Sequence, residues 1–186
     1  MRSLPLIALL LFACAARESS PGAAASASQA SAAEPQPQEP PAPAELYPTP
    51  YTAEQIREAT RPGRTYTWRV EVSGQEPIER SVAFSTVDAK GAEIIAGGEA
   101  KRVTWEELRR HAEFPRAAVT THEESVTVPA GTFACVVYVV SNPSASEQSS
   151  FFFAKNLPGA PVLYFTDKGG ARVMTGTLVR YAAGGG

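Results

Sequence analysis

The segment 124–140, ESVTVPAGTFACVVYVV, constrains the fold more than any other part of the chain. Val126 and Val128 alternate with polar residues, the turn-forming residues Pro129 to Gly131 follow, and apolar residues then fill both alternating positions of a second strand. This pattern predicts a β-hairpin. Because its second strand is apolar on both faces, we expect that strand to be covered on both sides and to lie at the centre of a sheet.

The chain from residue 51 onward predicts further strands and two short helices. Thr52 with Gln55, and Thr104 with Glu107, are capping-box pairs that predict a helix directly after each threonine. Strand patterns separated by turn residues cover 66–72, 81–87, 92–96, 150–154, 161–165 and 171–181. About eight strands that follow one another directly favour a mainly β (α+β) fold, in which an antiparallel sheet is rolled into a half-barrel or cup with two short covering helices.

Length and composition indicate one ordinary globular domain and no polyanionic partner. The chain has 186 residues, of which 44% are hydrophobic and 19% charged. Its formal net charge of -2 gives no electrostatic reason to expect nucleic acid as a partner. Many of the 16 prolines lie between Pro21 and Pro50, so the chain must be divided before its fold is predicted.

The amino terminus has the pattern of an export signal. Arg2 is followed by an apolar run, Leu4 to Ala13, that is too short for the roughly 20 residues that a membrane-spanning helix needs. At the end of this run, residues 11–14 (LFAC) resemble the lipobox of bacterial lipoproteins, although Phe12 stands where that family usually has a small or β-branched residue. The resemblance implies cleavage before Cys14 and a diacylglycerol on its thiol, and two or three acyl chains make a lasting anchor. The alternative is an ordinary signal peptide, cut after Ala13 or Ala16, that leaves a soluble exported protein.

The division that we predict has three parts. Residues 1–13 form the lipoprotein signal peptide, and residues 14–50 contain the lipidated Cys14 and a tether rich in Ala, Ser and Pro, which we expect to be disordered because it has almost nothing to bury. Residues 51–186 form a single β-rich domain. With Cys14 acylated, Cys135 is the remaining thiol, so the domain is expected to hold together without a disulfide.

Residue patterns typical of catalysis are weak in this chain. Cys135 lies in the middle of a predicted strand, which favours a buried, inert thiol. His122 shares a strand face with Glu124, but a zinc site needs three or four protein ligands. We therefore expect no catalytic residue, metal or cofactor. The alternative is a hydrolase or a metal-dependent enzyme whose site is built from scattered polar residues that include His122.

Phe151, Phe152 and Phe153 are consecutive, so their rings must point to both faces of a strand. The simplest expectation is that the helix containing Trp105 covers them. The alternative is that they line a cavity for an apolar ligand or meet another envelope component, because a contiguous exposed aromatic patch usually marks an interaction surface.

Three further segments carry a wider resemblance: VPAGTF (128–133), FFFAKNLPGAPVLYF (151–165) and a last strand that ends in LVRY. They are similar to uncharacterised bacterial envelope proteins of the DUF3108 type, which implies an antiparallel sheet and supplies no catalytic residues. The expected function is therefore a lipid-anchored envelope lipoprotein whose non-catalytic domain serves binding or assembly. The expected partners are the membrane, through Cys14, and an unknown envelope protein or apolar ligand. Ala15 and Ala16 after Cys14 favour the outer membrane, by resemblance to sorted lipoproteins.

Overall fold

The computed structural model describes residues 45–185, which form an antiparallel β-sheet with two short α-helices. The helices are α1 (Ala53–Ala59) and α2 (Trp105–Arg110). The strands are β1 (Thr65–Val72), β2 (Ile78–Val87), β3 (Gly91–Ala96), β4 (Glu99–Thr104), β5 (Val119–Val128), β6 (Gly131–Asn142), β7 (Glu147–Ala154), β8 (Leu163–Lys168) and β9 (Ala171–Ala182). The predicted mainly β fold with two short helices is confirmed. Neither helix of this part of the chain is long and apolar enough to cross a bilayer.

The strand order across the sheet is β4-β3-β2-β1-β9-β8-β7-β6-β5. Each neighbouring pair is antiparallel, and each joins strands consecutive in sequence except β1 with β9. The sheet therefore consists of two meanders that are joined where the first and last strands meet. It stays open, with β4 and β5 as its two edges.

The predicted hairpin is β5 and β6, but its predicted place at the centre of the sheet is wrong. β5 is an edge strand, and β9 lies at the centre. The two-sided burial of β6 has another cause, which is the curl of the sheet: the turn of the hairpin folds back until the Ala130 N–H donates to the Leu178 carbonyl of β9, 3.3 Å away. The inner surface of this curl is apolar and contains Cys135, Val137 and Phe152.

The opposite face of the sheet, which we call the helix face, packs against the helices and the segments that flank them. Residues directly opposite each other in the sheet share a face, which places Tyr66 and Trp68 of β1 on the same side as Leu178 of β9 and Phe153 of β7. Each of these four side chains is buried. The strand predicted over 66–72 is thus confirmed as β1, which begins one residue earlier, at Thr65.

β4 is absent from the strands that the sequence predicts. Val103 is its one buried residue, and the other five positions are exposed. An edge strand of this kind lacks the apolar period that identifies a half-buried strand. It ends at Thr104, whose side chain and that of Glu107 form the predicted capping box of α2. The box of Thr52 and Gln55 at α1 is confirmed in the same way.

The folded part begins ahead of the predicted boundary at residue 51. The Tyr47 N–H donates to the Phe114 carbonyl at 2.9 Å, and the Arg116 N–H donates to the Glu45 carbonyl at 2.8 Å. The Tyr138 hydroxyl donates to the Pro48 carbonyl at 2.8 Å. Residues 45–50, which the sequence assigns to the tether, therefore pack against the β-rich domain. The rest of the predicted tether and the signal peptide lie outside the described residues.

Candidate functional site

Two of the residues that the sequence singles out for chemistry lie together on the edge strand β5. His122 Nε2 is 3.4 Å from Glu124 Oε2, and each side chain is 52% exposed. The shared strand face is as predicted. Within residues 45–185, His, Cys, Asp and Glu side chains form no group of three or more that could hold a metal ion. The predicted lipidation residue, Cys14, lies outside the described residues.

Cys135 lies on β6, directly opposite Glu124 of β5, and its side chain is 1% exposed. Burial raises the pKa of the Cys135 thiol to about 11, and the nearby Glu124 carboxylate adds to the increase. The thiolate is the nucleophilic form of cysteine. Cys135 is therefore protonated at neutral pH and shielded from solvent, which fits the predicted inert thiol.

The aromatic run of β7 is covered on both faces by the chain itself. Phe151 stacks on Phe114 with 5.4 Å between ring centroids, and Phe153 meets Tyr51 edge to face at 6.0 Å. Phe152, on the inner surface of the curl, lies 5.8 Å from the Phe165 ring. The cover on the helix face thus comes from Phe114, which lies four residues after the end of the helix that contains Trp105, and from Tyr51, which precedes α1.

A shallow depression of about 340 Å³ lies at the end of the sheet where β6 passes into β7. Most of the residues that line it are polar, and they include Glu147, Gln148 and Asp167. Sites for apolar ligands are lined predominantly by hydrophobic and aromatic side chains. The depression therefore does not suit the apolar ligand that the sequence left open.

A buried cluster around Arg64, which the sequence analysis missed, has unusual chemistry. We define the Arg64 cluster by five residues: Thr60, Arg64, Tyr66, Gly159 and Tyr181. Arg64 is 1% exposed, although arginine is almost never fully buried unless it is paired. The ion pairs formed among residues 45–185 do not include it.

Local structure explains how Arg64 reaches the interior. Thr60 is the C-cap of α1, and the chain then turns through Gly63, whose φ of +80° favours glycine, directly into β1. Alternation along β1 then places Arg64 on the same face as Tyr66. Arg64 Nη1 donates to Thr60 Oγ1 at 3.0 Å, and that hydroxyl donates to the Ile56 carbonyl at 2.7 Å.

Two tyrosine rings contact the Arg64 guanidinium. Its central carbon lies 5.0 Å from the centroid of the Tyr66 ring and 5.6 Å from that of the Tyr181 ring. Both distances are within the range of cation–π attraction, which contributes on the order of 1–2 kcal/mol for each desolvated pair. The cluster thus joins β1 to β9, the first and last strands in the sequence, which are neighbours in the sheet. The two rings offset part of the cost of burying the charge.

Two polar atoms of the Arg64 cluster make no hydrogen bond of ordinary geometry to the described residues, although the Arg64 guanidinium lies close enough to the Tyr66 hydroxyl to oppose the rise in its pKa. They are Arg64 Nε and the Tyr66 hydroxyl oxygen, and both are fully buried. An unsatisfied buried polar group costs about 1–3 kcal/mol, and an uncompensated buried charge costs more. The cluster therefore offers hydrogen-bonding capacity that the described part of the chain does not use.

The tyrosine hydroxyls at this place stay neutral. Burial raises the pKa of both Tyr66 and Tyr51 well above the ordinary phenol range, and the neighbouring Arg64 opposes that increase only in part. At neutral pH the Tyr66 hydroxyl is therefore a hydrogen-bond donor and acceptor, and it is not a nucleophile. The signal that could have identified the cluster is the alternation of β1, which extends from Trp68 through Tyr66 to Arg64.

The sequence matches no protein-family model and no curated protein. Among solved structures, the chain resembles a Bacteroides fragilis protein, assigned as exported and with a YMCC-like fold, at 12% identity and a TM-score of 0.41 over 66% of this chain and 97% of that chain. It also resembles a Parabacteroides distasonis protein, assigned as a lipoprotein, at 12% identity and a TM-score of 0.40 over 66% of this chain and 96% of that chain. Likeness at this level establishes neither family nor function, and the resemblance to DUF3108-type proteins stays a prediction.

Proposed function

We propose that this chain is a bacterial envelope lipoprotein, anchored through lipid on Cys14, whose β-rich domain is a non-catalytic module for binding or assembly. The anchoring part is supported by the apolar run of residues 4–13 and the lipobox-like sequence of residues 11–14. Ala15 and Ala16 favour the outer membrane as its destination.

The observation that carries the binding role is the chemistry of the Arg64 cluster. Its polar groups are one guanidinium and neutral hydroxyls, which recognise a charge and do not transfer protons at neutral pH. Covalent catalysis needs a nucleophile within reach of a base. Cys135 instead is 1% exposed and has a raised pKa, so its thiol is protonated and shielded from solvent at neutral pH.

The anchoring is tested by incorporation of labelled palmitate in bacteria that express the wild type, Cys14→Ala or Cys135→Ala. We expect label in the wild type and in Cys135→Ala, because Cys135 is buried, and no label in Cys14→Ala. Cys14→Ala should also move from the membrane fraction to the aqueous fraction. An unmodified amino terminus on wild-type protein in the aqueous fraction would contradict the proposal. Density-gradient separation of inner and outer membranes then tests the destination.

A further inference from the structure

We propose that the Arg64 cluster is a binding site for an anionic group, a carboxylate or a phosphate, that pairs with the Arg64 guanidinium and the Tyr66 hydroxyl. The inference rests on the proposed function in one respect, which is that the β-rich domain is a binding module. It does not depend on lipidation of Cys14.

The first step of the argument is the charge. The guanidinium of Arg64 is a cationic group, Arg64 is 1% exposed, and its side-chain hydrogen bond to the described residues goes to the neutral Thr60 hydroxyl. A buried ion that lacks a counter-ion is strongly destabilising. An anion beside the guanidinium would supply that counter-ion and would be held more tightly than at an exposed arginine, because low local polarity strengthens the attraction.

The second step is the arrangement of the donors. Arg64 Nε and the Tyr66 hydroxyl are the two buried polar atoms that lack a partner in the described part of the chain. They belong to residues whose side chains contact each other, since the Tyr66 ring lies against the guanidinium. Carboxylate and phosphate groups present two or more oxygens, so one such group can accept from a guanidinium and from a hydroxyl together.

The third step concerns the connection between β7 and β8, residues 155–162, which lies over the cluster. A Cβ atom at Gly159 would be 2.9 Å from the Tyr66 hydroxyl oxygen and 4.0 Å from Arg64 Nη1, so only a bare backbone fits here. The Trp68 indole N–H holds this connection by donating to the Pro161 carbonyl at 3.0 Å. Because Gly159 lies against both groups, binding of an anion requires this connection to move away from Tyr66.

The competing explanation is a structural arginine that the Tyr66 and Tyr181 rings alone stabilise. The two explanations differ in what happens when the charge is removed. A methionine at position 64 would fill similar space without the charge, and replacing buried ionic groups by apolar residues is often neutral or stabilising. Only the binding site predicts that added anions stabilise the wild type and lose this effect when Arg64 is replaced.

The experiment measures the thermal unfolding midpoint of the mature full-length protein, purified in a non-ionic maltoside detergent. Inorganic phosphate or acetate is titrated while sodium chloride holds the ionic strength constant. A ligand that binds the native state raises the midpoint in a saturable way. We expect saturation in at least one of the two arms, and the arm that saturates identifies the anion as a phosphate or a carboxylate.

Three variants assign the effect. Arg64→Met should weaken the response about tenfold or more, because it removes a charged hydrogen bond. Tyr66→Phe should weaken it about three- to tenfold, because it removes one neutral hydrogen bond, and it decides the question if Arg64→Met does not fold. Arg61→Met is the matched control, since Arg61 is exposed and lies three residues away, and it should respond like the wild type.

Two results would overturn the inference. One is a wild-type midpoint that does not respond to either anion. The other is a response of equal size in the wild type and in both Arg64→Met and Tyr66→Phe, which would place the effect elsewhere on the surface. Neither result bears on palmitate incorporation at Cys14, so failure of the anion site and failure of the proposed anchoring are told apart.

Discussion

Replacing Leu178 by alanine should destabilise the domain more than an ordinary core substitution. Leu178 is fully buried on the central strand β9, opposite Trp68 of β1. Its N–H donates to the Val162 carbonyl at 2.9 Å, and its carbonyl accepts from the Ala130 N–H at 3.3 Å. The side chain therefore lies where the two meanders and the hairpin turn come together.

The expected loss of unfolding free energy is large because the residues around Leu178 can move little to fill the cavity. Leu→Ala substitutions in cores cost about 2–5 kcal/mol, with the larger values where the surroundings cannot collapse into the cavity. Paired strands and the backbone hydrogen bonds on both sides of Leu178 hold the neighbouring atoms in place, so we expect about 3–4 kcal/mol. At about 3 °C for each kcal/mol in a domain of this size, the thermal midpoint should fall by about 10 °C.

The assay is urea unfolding followed by tryptophan fluorescence and circular dichroism, with the slope of the unfolding free energy against urea compared between variants. Ile78→Ala is the control, because Ile78 is an apolar β2 residue that is 46% exposed, and it should cost less than about 0.5 kcal/mol. A cost below about 1 kcal/mol for Leu178→Ala, with an unchanged slope, would refute the reasoning about packing at this junction.

Three further substitutions test separate contacts. Cys135 has a folded-state pKa of about 11, which is above that of the unfolded thiol, so its contribution to stability is complete below about pH 8.5 and is lost as the pH rises towards about 11. The urea midpoint should therefore fall less between pH 8.5 and about 11 in Cys135→Ala than in the wild type. Equal falls in the two proteins would contradict this. Gly91→Ala should lower the unfolding free energy in urea by about 2–3 kcal/mol, because its Cβ would lie 2.1 Å from the Val103 carbonyl oxygen on β4. An unchanged unfolding free energy would mean that β3 and the edge strand β4 can move apart easily. Thr104→Ala removes the cap of α2 and should cost about 1 kcal/mol by thermal circular dichroism, whereas Thr104→Ser should restore most of it.

Local features of this fold could be predicted from the sequence because short-range spacing determines them. The hairpin pairs Val128 with Gly131 at its turn and keeps its register back to Val119 opposite Val140. Alternation of apolar residues and the turn chemistry between them specify this register. The two helices begin at their threonine caps for the same reason, since each capping box spans four residues.

The position of the hairpin in the sheet could not be predicted in this way. Strand order depends on the pairing of β1 with β9, which joins residues near opposite ends of the described chain. No local period encodes such a contact. An apolar second face on a strand such as β6 is typical of a central strand, but the curl that brings Ala130 to Leu178 produces the same burial near an edge.

The Arg64 cluster escaped prediction for a related reason. Its members come from the end of α1, the start of β1, the β7–β8 connection and the end of β9. Charged residues next to a turn are usually solvated, so the position of Arg64 directly after Gly63 does not suggest burial. Only the alternation that continues back from Tyr66 indicates the inward position, and one charged residue in an apolar series is weak evidence on its own.

The pairing of β1 with β9 links the proposed anion site to the stability of the whole sheet. Arg64 precedes the first strand and Tyr181 belongs to the last, so the guanidinium contacts both tyrosine rings only after the two meanders have joined. An anion that binds there stabilises the joined state and not the separated meanders, by the mass-action rule for ligands of the native state. The free-energy cost of the unpaired guanidinium therefore falls on the pairing of β1 with β9, the one neighbouring pair in the sheet whose strands are not consecutive in sequence. A bound anion would stabilise that pairing more than any other in the sheet.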